Sequence, residues 1–314
     1  MLNGRLWIGV SGIPFKYARA RLYSHTDPTF ADKALQGLPS GMKFWWNLRN
    51  DDIFNFRWGD PDYVRSFINH FPPLHQTLGF HMGSDGYIWG RECTSTEPDH
   101  ARQLELHKHW YKYMLWGRLG YNPQLSNAHF QKILQQYFPG TDASKLFALW
   151  QRASEIIPTV NRWHWHDWDY QWAVEYCRSQ KGFHKITDAC WKPGGRAVAQ
   201  ELQDHARYVL GCLKDMDPAQ NRELRLTLGD LEAMAHLGNY YAEKILAADK
   251  KEADRTQAVA HLVTAARHWE KYVDVASGQY TPQLLGRNGW MDWNATTEDV
   301  LNDIALIKCE AEIE

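Results

Sequence analysis

Two stretches between Lys43 and Glu92 each run a short apolar segment into a polar loop that carries acids and aromatic rings. The first reads Lys43-Phe-Trp-Trp-Asn-Leu-Arg-Asn-Asp-Asp-Ile-Phe-Asn-Phe-Arg-Trp-Gly-Asp60, the second Leu78-Gly-Phe-His-Met-Gly-Ser-Asp-Gly-Tyr-Ile-Trp-Gly-Arg-Glu92. Carboxyl groups on neighbouring strand ends suit acid–base cleavage of a glycosidic bond. That reaction needs two carboxyls about 6.5–9.5 Å apart for inversion, or about 5–5.5 Å apart for retention. Asp51, Asp52, Asp85 and Glu92 are the candidates. Trp58, Tyr87 and Trp89 offer flat rings for a sugar face, and Lys16, Arg49 and Arg57 offer charge for an anionic group, bidentate in the case of arginine. Each acid also has a plain structural reading. Asp85-Gly86 is a common turn pair, Asp52 suits a turn cap, and Glu92 suits an ion pair with Arg91 or Arg57.

Other chemistries find little support. His164-Trp-His-Asp-Trp-Asp169 lacks a third ligand at a zinc-like spacing, so an aromatic lid or helix packing is expected there and no metal. His107, His109, His236 and His261 fall in helical stretches and read as structural or solvent-facing. There is no Gly-x-Gly-x-x-Gly, P-loop or Gly-x-Ser-x-Gly run, and no cofactor is expected. Net charge is −2, from 35 basic and 37 acidic residues, which gives no reason to expect nucleic acid or an anionic membrane as partner. The five cysteines are scattered without CxxC spacing. Neither a signal peptide nor a membrane-length apolar run is present, so the chain as it stands is expected in the cytoplasm.

The elements that must position these loops alternate at first. Leu6–Ser11, Met42–Leu48 and Thr77–Met82 read as strands, Thr29–Leu38 as a helix, and Asp60-Pro61 as the capped start of another helix with stripe Tyr63, Val64, Phe67 and Ile68. From Pro98 onward the pattern is helical: 99–119, 127–137, 142–157 (stopping before Pro158), 170–178, 195–214, 224–250, 254–276 and 297–312. Aromatic loops are expected at 161–172 and 279–294. The expected fold is therefore α/β plus α: the last strands of a parallel (β/α) TIM-type barrel over residues 1–100, then a large all-helical domain over 101–314. So few strands cannot close a barrel, and the rest would come from a longer chain, of which this is a fragment, or from self-association.

The strand, the Arg49-Asn50-Asp51-Asp52 loop, the second strand, and then Trp116-Gly-Arg-Leu-Gly-Tyr-Asn-Pro123 resemble the C-terminal half of (β/α)₈ α-glucuronidases, which remove glucuronic acid side groups from xylan. The resemblance covers residues 43–140 by motif and the remainder by architecture. It implies that Arg49, with Asn50 beside it in the loop, helps bind a substrate carboxylate, and that Asp85 matches the base carboxylate at the next strand end. The family's other catalytic Asp falls on Phe54, a departure that leaves Asp52 or Asp51 to act from the same loop. The family's general acid comes from an earlier strand with no counterpart here. Glycoside hydrolase action on a polysaccharide or oligosaccharide, uronic-acid-containing by this resemblance, is the leading expectation. A non-catalytic carbohydrate-binding or structural module is the alternative.

Overall fold

The computed structural model describes residues 8–10, 44–48, 56–69, 77–82, 95–98, 104–164, 186, 193–285, 289–294 and 297–310. The expected partial barrel is corrected here, because the described residues build a mostly helical body. Three short strands, β1 (Ile8–Val10), β2 (Phe44–Leu48) and β3 (Thr77–Met82), pair in parallel in the order β1-β2-β3 and stay open. Between β2 and β3 lies α1 (Pro61–Asn69). Apolar runs specify strands locally, but barrel closure needs a continuous ring of strands, and these three do not form one. The expected helices at 29–38 and 170–178 lie outside the described residues.

The helices that follow are α2 (Glu105–Lys108), α3 (Trp110–Tyr121), α4 (Asn127–Tyr137), α5 (Ala143–Ser154) and α6 (Ile156–His164). Three long ones come next: α7 (Gly195–Leu213), α8 (Arg222–Lys250) and α9 (Arg255–Gln279). A small antiparallel pair, β4 (Gln283–Leu285) and β5 (Gly289–Met291), precedes α10 (Thr297–Glu310). Side-chain caps set several starts. Asp142, Asn221 and Asp254 each accept the backbone N–H three residues on, at 3.0 Å, which satisfies a donor the helix cannot.

Pro158 does not end a helix. The helix breaks earlier, at Glu155, and Pro158 sits in the first turn of α6, where its missing N–H costs nothing. Residues 161–164, expected in a loop, continue that helix. The single helix expected over 99–119 is instead two, separated at His109.

The three long helices are the heart of the body, with α8 in the middle, packed on α7, α9, α5 and α6. Small residues let the backbones approach. Ala233, Ala235, Ala242 and Ala247 of α8 are buried, as are Ala258, Ala265 and Ala276 of α9. At Gly238 a Cβ would stand 3.0 Å from the Ile156 side chain, so α8 lies close against the start of α6. One hydrophobic core runs from Phe56 through α1 and the helices to Ile307. Residues 56–64 thus belong to the helical body's core. At the far end, buried Lys244 of α8 meets Asp303 of α10 at 2.7 Å.

Candidate functional site

The sheet register brings the two acid-bearing loops to a common origin. Leu48 pairs with Met82, so β2 and β3 end side by side, and in the sequence each strand is followed by one acid-bearing stretch. Asp51, Asp52, Asp85, Glu92, Lys16, Arg49, Asn50, Tyr87 and Trp89 lie outside the described residues. Arg57 and Trp58 lie within them.

Downstream of the first loop, Phe56–Asp60 is tied to the helical body residue by residue. Phe56 meets Tyr272 edge-on, with ring centroids 6.0 Å apart. The Arg57 guanidinium forms a forked pair with Glu223, through Nε at 2.7 Å and Nη2 at 3.1 Å, and its Nη1 donates to Asp230 at 2.9 Å and to the Tyr280 hydroxyl at 3.1 Å. Its backbone N–H also donates to Asp230, at 2.9 Å, and its carbonyl accepts the Trp150 indole N–H at 3.0 Å. The Trp58 indole donates to the Ser154 carbonyl at 2.8 Å, and the Gly59 N–H to the Ser154 hydroxyl at 2.8 Å. Asp60 caps α1 by accepting the Asp62 N–H at 2.9 Å.

Two expectations change as a result. Trp58, read as an exposed ring beside acids, is fully buried, and Arg57 is only 2% exposed. Neither is open to a sugar. Arg57 is an internal clamp whose charge is held on by its neighbours. Burial works against that charge, but Tyr280, Asp230 and Glu223 outweigh it and raise the pKa.

Asp230 is the centre of this clamp and is 0% exposed. Beyond the two bonds from Arg57, it accepts from the Gln279 amide at 2.6 Å and from the Tyr280 hydroxyl at 2.6 and 2.8 Å. A buried carboxylate with that many donors is fully paid for in hydrogen bonds. The sequence carried one signal of it: an acid at position 230 falls on the same stripe of α8 as Thr227, Met234 and Leu237, all buried. On that stripe a charge needs an internal partner, but the sequence does not say which one.

Tyr280 also receives the end of the second loop. Ser95 bridges to Tyr280, and the Thr96 N–H donates to the Gln279 carbonyl at 2.9 Å. Glu97 pairs with Arg225 at 2.7 Å nearby. Lys108 places its ammonium 4.3 Å from the Tyr280 ring centre. The two acid-bearing loops therefore start at one strand edge and finish at one residue, Tyr280. Among the described residues no group of three His, Cys, Asp or Glu side chains gathers that would hold a metal ion.

No family model matches the chain, and no curated protein matches it. A solved structure does. The chain shares its fold with part of a glycoside hydrolase. That neighbour is described as a GH138 enzyme targeting pectin rhamnogalacturonan II. The likeness has a TM-score of 0.66 at 13% identity and covers 90% of this chain. The chain spans 39% of the length of that enzyme. The likeness is to the fold of that enzyme and does not single out the α-glucuronidases.

Proposed function

We propose that this chain works in glycoside hydrolysis, on a polysaccharide or oligosaccharide that carries uronic acid groups. The observation that carries this reading is the fold shared with a glycoside hydrolase over nine-tenths of the chain. The assignment of roles draws support from the common origin and common end of the two loops. Asp52 is four residues past Leu48 and Asp85 three past Met82, spans of at most about 14 and 11 Å. Carboxyls tethered that closely to one strand edge have the reach that a glycosidase pair requires.

In this reading Asp85 is the base that activates a water, and Asp52 or Asp51 is its partner, with Glu92 as a further carboxyl on the second loop. Arg49 and Lys16 hold the uronate carboxylate, Asn50 hydrogen-bonds the sugar, and Tyr87 and Trp89 line the subsite. Arg57 and Trp58 take a different role: they hold the end of the first loop in place. The test is hydrolysis of pectic and glucuronoxylan oligosaccharides by the full-length protein, with products followed by anion-exchange chromatography. Asp85→Asn should lower the rate by about 10²–10⁴-fold while thermal unfolding stays unchanged. An unchanged rate removes Asp85 from the mechanism. Sugar binding without hydrolysis by the unaltered protein selects the non-catalytic, carbohydrate-binding alternative.

A further inference from the structure

Tyr137, the last residue of α4, lies flat on Trp110, the first residue of α3. The ring centroids are 4.0 Å apart and the planes 20° from parallel. Tyr137 is 45% exposed, so one face rests on the indole while much of the ring faces solvent. The support beneath is rigid. Trp110 meets Trp150 edge-on at 6.4 Å, and Phe138, fully buried, meets Tyr137 edge-on at 4.9 Å. Such an open ring, held flat by a second one, loses little freedom when something stacks on it.

The stack also borders the clamp that ends the first acid-bearing loop. Trp150, which supports Trp110, donates its indole N–H to the Arg57 carbonyl. Burial first, and then the charge of Glu223, raise the pKa of the Tyr137 phenol, and Arg57 works against that rise. Arg57 is five positions past Asp52, at most about 18 Å of chain.

We infer that Tyr137, backed by Trp110, is a pyranose-stacking subsite for an oligosaccharide. The C–H face of a pyranose packs on the exposed ring, and a sugar hydroxyl donates to the Tyr137 oxygen. This subsite rests on the proposed action on carbohydrate, and it adds residues of the helical body that the sequence reading did not single out.

The experiment titrates pectin-derived oligosaccharides into the full chain by calorimetry, for the unaltered protein, Tyr137→Leu and Tyr137→Phe. Leucine keeps Trp110 covered but removes the flat ring, which separates stacking from a purely structural role. Tyr137→Leu should bind about tenfold more weakly, the loss of one good aromatic contact, and Tyr137→Phe within about twofold of the unaltered protein. Thermal unfolding should be the same for all three. Equal binding by Tyr137→Leu overturns the subsite and leaves the hydrolase reading standing. Loss of binding in Tyr137→Phe equal to that in Tyr137→Leu also overturns it, since the ring is still present. Ring-dependent binding without hydrolysis upholds the subsite and overturns catalysis. No binding by the unaltered protein overturns the subsite.

Discussion

Asp230 has no water to solvate it, and its two oxygens take every bond they need from Arg57, Gln279 and Tyr280. Removing it leaves the buried guanidinium with Glu223 as its remaining carboxylate partner and deprives the Gln279 and Tyr280 donors of their acceptor, whereas removing both partners for apolar groups would cost far less. Asp230→Ala should therefore destabilise the protein by about 3–5 kcal/mol, read from chemical denaturation. A double variant that also replaces Arg57 with Met should recover part of that loss. If the single change costs under about 1 kcal/mol, the range of an exposed pair, the clamp is not what anchors the loop. Arg57 shows how far residue type alone reaches. An arginine in a polar loop beside acids reads as a ligand for an anion, and the helical body made it an internal ion pair with a partner 173 residues away.

At the scale of elements, the join between loop and helices depends on close approach at Gly59. A Cβ there would run into the Tyr111 ring of α3 and stand 3.2 Å from the Trp150 indole nitrogen of α5. Gly59→Ala should cost about 1–3 kcal/mol, the range of an overpacked core, and should lower the melting temperature measured by circular dichroism. An unchanged melt would mean that Tyr111 moves aside freely. Helix positions were largely legible from the chain. Asp60-Pro61, Asp142 and Asp254 mark starts through cap chemistry, and 127–137 appears with the bounds its spacing indicates. Pro158 misled because a proline reads as a stop, whereas its effect depends on whether it falls inside a helix or in a first turn.

At the scale of the whole molecule, a pH-dependent joint lies where α1 meets the end of α5. Gln151 donates to Asp60 at 3.1 Å, and Glu155, one turn further along the same face, lies against the same carboxyl. Tyr111, Asp62 and Arg65 complete the charged and titratable surroundings. Burial first, and then the charge of Glu155, raise the Asp60 pKa well above the usual carboxylate range. The folded state thus binds a proton that the unfolded chain has released. Stability from this joint is complete below the ordinary carboxylate pKa and is lost as pH rises through the raised value. Asp60→Asn, which keeps a cap and supplies a donor to Glu155, should flatten the fall in stability above about pH 4. Melting curves from pH 4 to 8 measure this, and a parallel pH dependence in protein and variant would place the buried proton elsewhere.

By itself the sequence determined where several helices begin, which segments are apolar enough for strands, and that acids and rings share two stretches of the chain. These are short-range matters of spacing, capping and turn chemistry. Tertiary structure decided the rest. Among the described residues it built a mostly helical body with only three parallel strands before it, because barrel closure depends on partners across the fold. It buried Arg57 and Trp58, because a charge or an indole is internal only when distant segments supply its hydrogen bonds. It also brought the ends of both acid-bearing loops to Tyr280, a convergence between residues far apart along the chain that no local pattern encodes.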